Sequence, residues 1–180
     1  MKRILAVLAL CALILVTGCK KDDSTPVTPT TPTDTTVALV GVWFSAGANV
    51  APLLRTYYKT DSIVATFTTD LRYTVLEYDS AQSVKTLTGT YVYVKSTKDT
   101  LNGTIYSLVV TQISPSTLVA SGIFVVDKTV SPNKMYYEVV AQGAGTAPTP
   151  ATGIGSSKSA TGLVLNLYPG FSNIQKYVKR

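Results

Sequence analysis

Leu87-Thr88-Gly89-Thr90-Tyr91-Val92-Tyr93-Val94 is the stretch of sequence that decides the fold, because two sets of side chains alternate along it. Leu, Gly and Tyr occupy the odd-numbered positions, and Thr and Val occupy the even-numbered ones. Alternation with a period of two is typical of a β-strand, whose successive side chains point to opposite faces of a sheet. Tyr91 and Tyr93 are therefore predicted to share one face of this strand.

Further segments on both sides of this stretch have the same strand character. They are rich in Val, Ile, Thr, Tyr and Phe, which suit a pleated surface, and turn signals made of Pro, Gly, Asn, Asp or Ser separate them. Short strands at this spacing predict an all-β protein, an antiparallel barrel or sandwich of about eight strands. We expect the last segment to close the sheet against the first strand. The segments begin at Ala38 and include residues 63–68, 71–75, 104–113, 117–127, 134–142 and 172–178.

Two segments do not follow the strand pattern. Residues 49–58 are predicted to form one short helix, with Asn49 near its start and Pro52 in its first turn. Because this helix falls between the first two strands, we expect it to cover one end of the barrel as a plug or lid. Residues 143–162 are mostly Gly, Ala, Ser, Thr and Pro, and we expect a mobile loop there.

The N-terminal residues have the pattern of a secretory signal peptide. Two basic residues precede the apolar run 4–16, which is shorter than the ~20 residues that a membrane-spanning helix needs. Val16-Thr17-Gly18-Cys19 resembles the lipobox of bacterial lipoproteins. The resemblance implies that residues 1–18 are removed as a lipoprotein signal peptide. It also implies that Cys19 becomes the lipidated first residue, with a diacylglyceryl group on its sulfur and an acyl chain such as palmitate on its amine.

Residues 19–37 are predicted to link the lipid to the folded domain. Three prolines at a spacing of three within residues 24–36 favour an extended, disordered tether. Lys20-Lys21-Asp22-Asp23 resembles the export signal that directs lipoproteins of one phylum of Gram-negative bacteria to the cell surface. This resemblance implies a lipid-anchored protein of the bacterial outer membrane that is exposed on the cell surface. The alternative is an ordinary solvated, charged start on a domain that faces the periplasm.

Three short motifs resemble the lipocalin fold. They are the Gly-x-Trp start in Leu39-Val40-Gly41-Val42-Trp43, the hairpin Phe67-Thr68-Thr69-Asp70-Leu71-Arg72-Tyr73, and Gly89-Thr90-Tyr91. The resemblance implies that residues 38–180 form a lipocalin-like, calycin-type β-barrel domain. It also implies that Gly41 and Trp43 form the barrel floor, where an arginine that follows the last strand packs on the tryptophan ring. Arg180 is the candidate for that arginine, with Lys179 beside it.

The composition limits the chemistry of the chain. No histidine is present, which excludes Ser-His-Asp and Cys-His nucleophiles and the usual zinc and non-haem iron sites. The formal net charge of +6 is spread along the chain, and no nucleic-acid partner is expected. Glu77 and Asp79 share a predicted strand face, and Glu138 lies on a later strand, but acids near a strand end are more often edges or turn caps. We expect no enzyme activity, no cofactor and no metal site.

Aromatic side chains supply the candidate site, since eleven tyrosines are present. A tyrosine that points into a barrel offers an apolar ring and one hydroxyl, which suits a small cavity. The alternative is that such residues fill a solid core, as in many small barrels, and that the outside of the barrel contacts another envelope protein. Besides the membrane, we predict a small apolar or glycan-type ligand, held in an interior cavity by six residues: Phe67, Tyr73, Tyr91, Tyr93, Phe124 and Tyr137.

Overall fold

The structure, a computed structural model of the chain, describes residues 38–100, 102–159 and 170–180. Most of these residues belong to strands, as the alternating pattern predicts. The ten strands are β1 (Gly41–Ala46), β2 (Thr60–Phe67), β3 (Arg72–Asp79), β4 (Val84–Thr100), β5 (Gly103–Ser114), β6 (Leu118–Asp127), β7 (Lys134–Ala141), β8 (Gly145–Thr146), β9 (Lys158–Ser159) and β10 (Gln175–Lys179).

Eight of these strands close into an antiparallel barrel in the order β1-β10-β7-β6-β5-β4-β3-β2. The last strand pairs with the first, with Trp43 opposite Lys179 and Phe44 opposite Val178. On the other side of β1, Gly41 lies opposite Phe67 of β2. The prediction of an all-β, eight-stranded antiparallel barrel is therefore confirmed, and so is its closure through the C-terminal strand. Closure pairs the backbone of every barrel strand on both sides and leaves no sheet edge exposed.

The register places one set of side chains inside the barrel. Phe67 of β2 lies opposite Tyr73 of β3, as their shared hairpin predicts, and Tyr73 lies opposite Gly89 of β4. The glycine is required there because a β-carbon on Gly89 would clash with the Thr111 carbonyl oxygen and would lie 2.8 Å from the Tyr73 ring. A position without a side chain on β4 thus makes room for the tyrosine on β3.

One half of the barrel interior is filled with aromatic side chains. Tyr106 and Phe124 stack with their ring centroids 4.9 Å apart, and Tyr93 meets both rings edge-on at 5.9 Å. Tyr91 continues the cluster toward Phe67, whose ring it meets in a T-shaped contact at 5.2 Å. Offset and edge-on contacts of this kind are the favoured geometries of aromatic rings, and they stabilise this end beyond the burial of apolar area.

Trp43 lies at the filled end and is completely buried. Its indole Nε1 donates a hydrogen bond of 2.7 Å to the carbonyl oxygen of Leu39, in the segment just before β1. The cation over its ring is Lys179, whose Nζ lies 5.3 Å from the ring centroid. The expectation that Arg180 takes this place is wrong. Strand alternation turns Arg180 to the other face of the barrel wall, where its guanidinium carbon lies 3.8 Å from the centroid of Phe44.

The opposite end of the barrel carries the α-helix that the described residues contain. This helix, α1, spans Pro52–Tyr57, inside the predicted 49–58, and a 3-10 turn at Gly47–Asn49 precedes it. Gln175 of β10 joins this segment to the barrel, because its Oε1 accepts a hydrogen bond of 2.9 Å from the backbone N–H of Ala51. Its Nε2 donates to the hydroxyl of Ser45 on β1 at 2.5 Å.

Residues 143–159, within the predicted loop 143–162, form a strap on the outer wall of the barrel. β8 and β9 pair as a two-stranded ribbon within the strap. Ile154 of the strap packs against Ile105, Ile123 and Val125 on the outside of β5 and β6. Glu138 of β7 is completely buried beneath it, and its carboxylate accepts backbone hydrogen bonds from Gly155 at 2.5 Å and Ser157 at 2.9 Å. Small residues allow the strap to lie close to the wall, and a buried carboxylate ties it down.

Several predictions concern residues outside the described ranges. They are the signal peptide 1–18, the lipidated Cys19, the linker 19–37 and the last three residues of the predicted loop, 160–162. These remain predictions. Within the described residues, no helix has both the length and the apolar character needed to cross a bilayer.

Candidate ligand-binding cavity

The half of the barrel next to α1 is hollow. It encloses a cavity of about 270 Å³ that leads to a mouth of about 320 Å³, and the two spaces share side chains including Leu54 of α1. The helix therefore lies at the mouth, where the sequence predicts a plug or lid. The inner cavity is lined mainly by apolar or aromatic residues from α1, from the residue before it and from seven barrel strands: Ala51, Leu54, Ile63, Phe67, Tyr73, Val75, Leu87, Val110, Leu118, Ala120, Tyr137, Val139, Ala141 and Tyr177.

The size of the inward-facing side chains explains why one half is hollow and the other filled. Along β6, Phe124 points into the filled half, whereas Ala120, four residues earlier on the same face, lines the cavity. Along β7, Met135 is buried in the filled half, whereas Ala141 lines the cavity. Rings and long side chains occupy the space at one end, and alanines leave it empty at the other.

The structure separates the six aromatic residues predicted for the site into two groups. Phe67, Tyr73 and Tyr137 line the cavity. Tyr91, Tyr93 and Phe124 belong to the filled half, where they contact one another. The two interpretations of the barrel, hollow or solid, therefore each describe one end. Alternation identifies which side chains point inward, but their height along the barrel follows from the strand register.

Tyr177 is a cavity residue that the sequence analysis did not select. It lies on β10 opposite Met135, and its ring meets that of Tyr137 in a T-shaped contact with centroids 6.2 Å apart. The alternation of residues 172–178 contains the signal that would have found it. A tyrosine in a strand that closes the barrel must face either the interior or the solvent, and its apolar ring favours the interior.

Three amide side chains at the cavity are already bonded within the protein. Gln175 bonds to Ser45 and Ala51, as described above. Gln112 donates a hydrogen bond of 2.8 Å to the carbonyl oxygen of Ser116, and Asn173 donates one of 2.8 Å to that of Val139. These bonds fix loops and strand ends around the mouth, so the amides hold the cavity in shape.

Glu77 of β3 brings a carboxylate to both the cavity and its mouth. Its nearest cation is Lys85, on the neighbouring strand β4, with Nζ 3.8 Å from Oε2. The Glu77 side chain is 16% exposed and the Lys85 side chain 55% exposed, so the carboxylate faces the protein while the ammonium reaches water. Burial raises the pKa of Glu77, and the charge of Lys85 partly opposes this change.

The cavity tyrosines lie in the same electrostatic environment. Burial raises the pKa of Tyr73, Tyr137 and Tyr177, so that each phenol is neutral near pH 7. Neighbouring groups contribute as well, because the Glu77 carboxylate further raises the pKa of Tyr177, and Tyr177 and Tyr73 raise that of Tyr137. The phenols and Glu77 line the same cavity, where they form a polar group among mainly apolar side chains.

The two other acids considered from the sequence, Asp79 and Glu138, have structural roles. Asp79 caps the turn after β3, where its Oδ1 accepts backbone hydrogen bonds from Ala81 at 2.9 Å and Ser83 at 2.8 Å. Glu138 lies outside the barrel wall under the strap. Among the described residues, no group of three or more histidine, cysteine or acidic side chains is close enough to hold a metal ion.

Comparison of the chain with known protein families, with curated proteins and with solved structures found no match in any of the three.

Proposed function

We propose that this protein binds a small, mainly apolar molecule in the hollow half of its barrel. The observation that carries the proposal is the cavity of about 270 Å³ between the aromatic cluster and α1. Ligand sites are concave, mostly apolar and provided with a few polar groups, with volumes upward of ~300 Å³. The inner cavity and its mouth together fall in that class.

The interior favours a compact ligand. At the ~30 Å³ that a water molecule occupies in the liquid, the inner cavity has room for roughly ten non-hydrogen atoms. Transfer of each methylene group into an apolar site contributes ~0.8 kcal/mol. A chain or ring of about eight carbons is therefore the scale of ligand that the space suits, and octan-1-ol is a suitable neutral probe.

Isothermal titration calorimetry with octan-1-ol tests the proposal on the full chain in lipid nanodiscs, with empty nanodiscs as the blank. We expect saturable binding. Ala120→Leu, which replaces a methyl group inside the cavity by an isobutyl group, should weaken it at least tenfold. Ala81→Leu makes the same change in the exposed turn after β3 and should leave the affinity unchanged. Absence of saturable binding, or equal affinity in the two variants, contradicts a ligand-binding cavity.

The proposed location rests on the N-terminal motif. Val16-Thr17-Gly18-Cys19 at the end of an apolar run supports a lipoprotein that is anchored in the bacterial envelope through Cys19. Several acyl chains, at ~0.8 kcal/mol for each buried methylene group, anchor a protein permanently. Metabolic labelling with palmitate should label the full chain but not Cys19→Ala. An unlabelled wild-type chain would contradict the proposal.

The charged motif Lys20-Lys21-Asp22-Asp23, which follows Cys19, supports export to the outer surface of the outer membrane. Protease added to intact cells should then degrade the barrel domain, and Asp22→Ala combined with Asp23→Ala should protect it by retaining it inside. Protection of the wild-type chain would instead place the domain on the periplasmic face.

A second candidate function, contact with another envelope protein, is favoured by an apolar stripe on the outer wall. Val92 and Val94 of β4 and Val109 of β5 are exposed there, with Val94 65% exposed, and Val92 lies directly opposite Val109. Contiguous exposed apolar surface commonly marks interaction sites. Site-specific crosslinking from position 92 should yield a discrete adduct if this function holds, and position 72, exposed on β3, is the control.

A further inference from the structure

The carboxylate of Glu77 differs from the other buried polar groups of the barrel. The amides of Gln112, Asn173 and Gln175 have hydrogen-bond partners, and Glu138 accepts two backbone hydrogen bonds. Glu77 lines the cavity and, from the described residues, receives only the ion pair with Lys85. Its oxygens remain accessible at the cavity, so they are open to a hydrogen-bond donor that enters it.

Lys85 compensates this charge only in part. Its Nζ lies 3.8 Å from the Glu77 carboxylate, beyond the 2.7–2.9 Å of a charge-assisted hydrogen bond, and more than half of its side chain is exposed. Pairs with an exposed partner contribute little, typically below ~1 kcal/mol. The carboxylate therefore keeps acceptor capacity that faces the cavity.

The surroundings of this acceptor select the chemistry of a ligand. Glu77 lines both the inner cavity and the mouth, so a group bonded to it stands at the junction of the two spaces. The inner cavity beyond it is lined by apolar and aromatic side chains. A molecule with an apolar body and a single cationic donor fits both parts, because the body fills the cavity while the donor replaces the missing partners of the carboxylate.

We infer that the cavity takes an apolar molecule that carries a primary amine, with the protonated nitrogen bonded to the Glu77 carboxylate. This inference rests on the proposed ligand-binding function and names the class of ligand. No bond is made or broken. An alkylammonium supplies three N–H donors, which can bond to the carboxylate and to neighbouring phenol oxygens.

Octylamine, octan-1-ol and octanoate have eight carbons each and differ in the head group, so a comparison of their affinities shows which head group the site prefers. Each probe is titrated at pH 7 into the full chain in nanodiscs of zwitterionic lipid. We expect octylamine to bind at least tenfold more tightly than octan-1-ol. Glu77→Gln, which keeps the shape but removes the charge, should abolish that preference, so that octylamine and octan-1-ol bind to this variant with affinities within about threefold of each other. Trp43 fluorescence verifies that each variant is folded, since it is the single tryptophan.

Lys85→Met provides the second variant and acts in the opposite direction. Removing the competing ammonium should raise the preference for octylamine over octan-1-ol, measured on the same variant, about threefold or more. If octanoate binds most tightly and Lys85→Met weakens it, the site recognises an anion and the inference is wrong. Equal binding of the amine and the alcohol also overturns it while ligand binding itself stands. If none of the three probes binds saturably, the proposed function fails together with the inference.

The pH dependence gives an independent readout. The partner of Glu77 on β2, Ile63, and Leu54 of α1 are apolar. The titratable side chains that share the cavity or its mouth with Glu77 are Tyr58, Tyr73, Lys85, Tyr137, Lys158 and Tyr177. Burial raises the pKa of Tyr137 and Tyr177 further above neutrality, so Glu77 is the acid of the cavity whose titration is tested at low pH. Its pKa lies above the usual 4.5 because of burial. Octylamine binding should fall as the pH drops through that pKa, and octan-1-ol binding should not; parallel curves contradict the inference.

Discussion

Lys179 holds its ammonium 5.3 Å from the centroid of the Trp43 ring, across the pair of strands that closes the barrel. The contact depends on Gly41, where a β-carbon would lie 2.9 Å from Cε of Lys179 and where the backbone has a φ of +131°. Gly41, Trp43 and Lys179 come from the two ends of the folded domain and thus pack together where the barrel closes. The contact joins the beginning and end of the barrel at its filled end.

Removal of the charge above Trp43 should have a small and specific effect. Lys179→Met keeps the length of the side chain and should lower the free energy of unfolding by about 0.5–1 kcal/mol, the contribution of a cation over an aromatic ring. It should also shift the Trp43 emission, whereas Arg180→Met, which removes a cation from Phe44, should not. Urea unfolding followed by tryptophan fluorescence measures both. An emission shift in Arg180→Met alone would contradict the assignment.

A buried aromatic residue of the filled half should contribute more to the free energy of unfolding than an exposed aromatic residue does. Phe124 is completely buried among Tyr93 and Tyr106, and Phe124→Ala should cost about 3–5 kcal/mol through lost burial and the cavity left behind. Phe171 is 71% exposed, and Phe171→Ala should change stability by about 0.5 kcal/mol or less. Chemical denaturation of both variants provides the comparison, and similar losses would argue against a filled core at this end.

The strap depends on the carboxylate beneath it. Glu138→Leu removes the acceptor of the Gly155 and Ser157 amides and should destabilise the protein by about 1–3 kcal/mol, the cost of leaving buried donors unsatisfied. The exchange of those two amides with solvent deuterium, followed by NMR, should accelerate far more than that of amides in the barrel strands. Unchanged protection in Glu138→Leu would show that packing by Ile154 alone holds the strap.

Alkaline pH should destabilise the barrel through its buried tyrosines. Burial raises the pKa of Tyr91 from 10.0 to about 12, and the nearby Tyr93 and Asp70 act in the same direction. Between pH 10 and 12 the native phenol keeps its proton while the unfolded one loses it. Stability should therefore fall with rising pH in this range, by up to about 1.4 kcal/mol per pH unit for this group, whose contribution is constant below pH 10.

Tyr91→Phe is the matched control for the alkaline effect. It removes the titrating group together with a hydrogen bond of 2.8 Å to the carbonyl oxygen of Thr68, so it should cost about 1 kcal/mol at neutral pH. Its stability should then decline less steeply between pH 10 and 12 than that of the wild type. Urea unfolding at a series of pH values, with tyrosinate absorbance recorded in parallel, gives both slopes, and identical slopes would contradict the role of Tyr91.

Local sequence was sufficient to predict the class of fold. A period of two in hydrophobicity, as in residues 87–94, is a property of one strand alone and needs no knowledge of its neighbours. Pro52 likewise marks the start of α1 because proline is tolerated in the first turn of a helix. The packing of the strap at 143–159 could not be predicted in this way. Its composition is that of a loop, and the residue that anchors it, Glu138, lies on another strand.

The candidate site required the tertiary structure. Alternation indicates that Tyr73 and Tyr93 both point inward, but only the register of neighbouring strands places the first at the cavity and the second in the filled core. The same holds for Lys179, which lies over Trp43 because the pairing of β10 with β1 sets these two residues opposite each other. The sequence by itself determined the strands, the helix and which side chains of each strand face the inside or the outside of the barrel. The depth of each side chain, and therefore the cavity and its carboxylate, was decided by long-range strand pairing that no local pattern encodes.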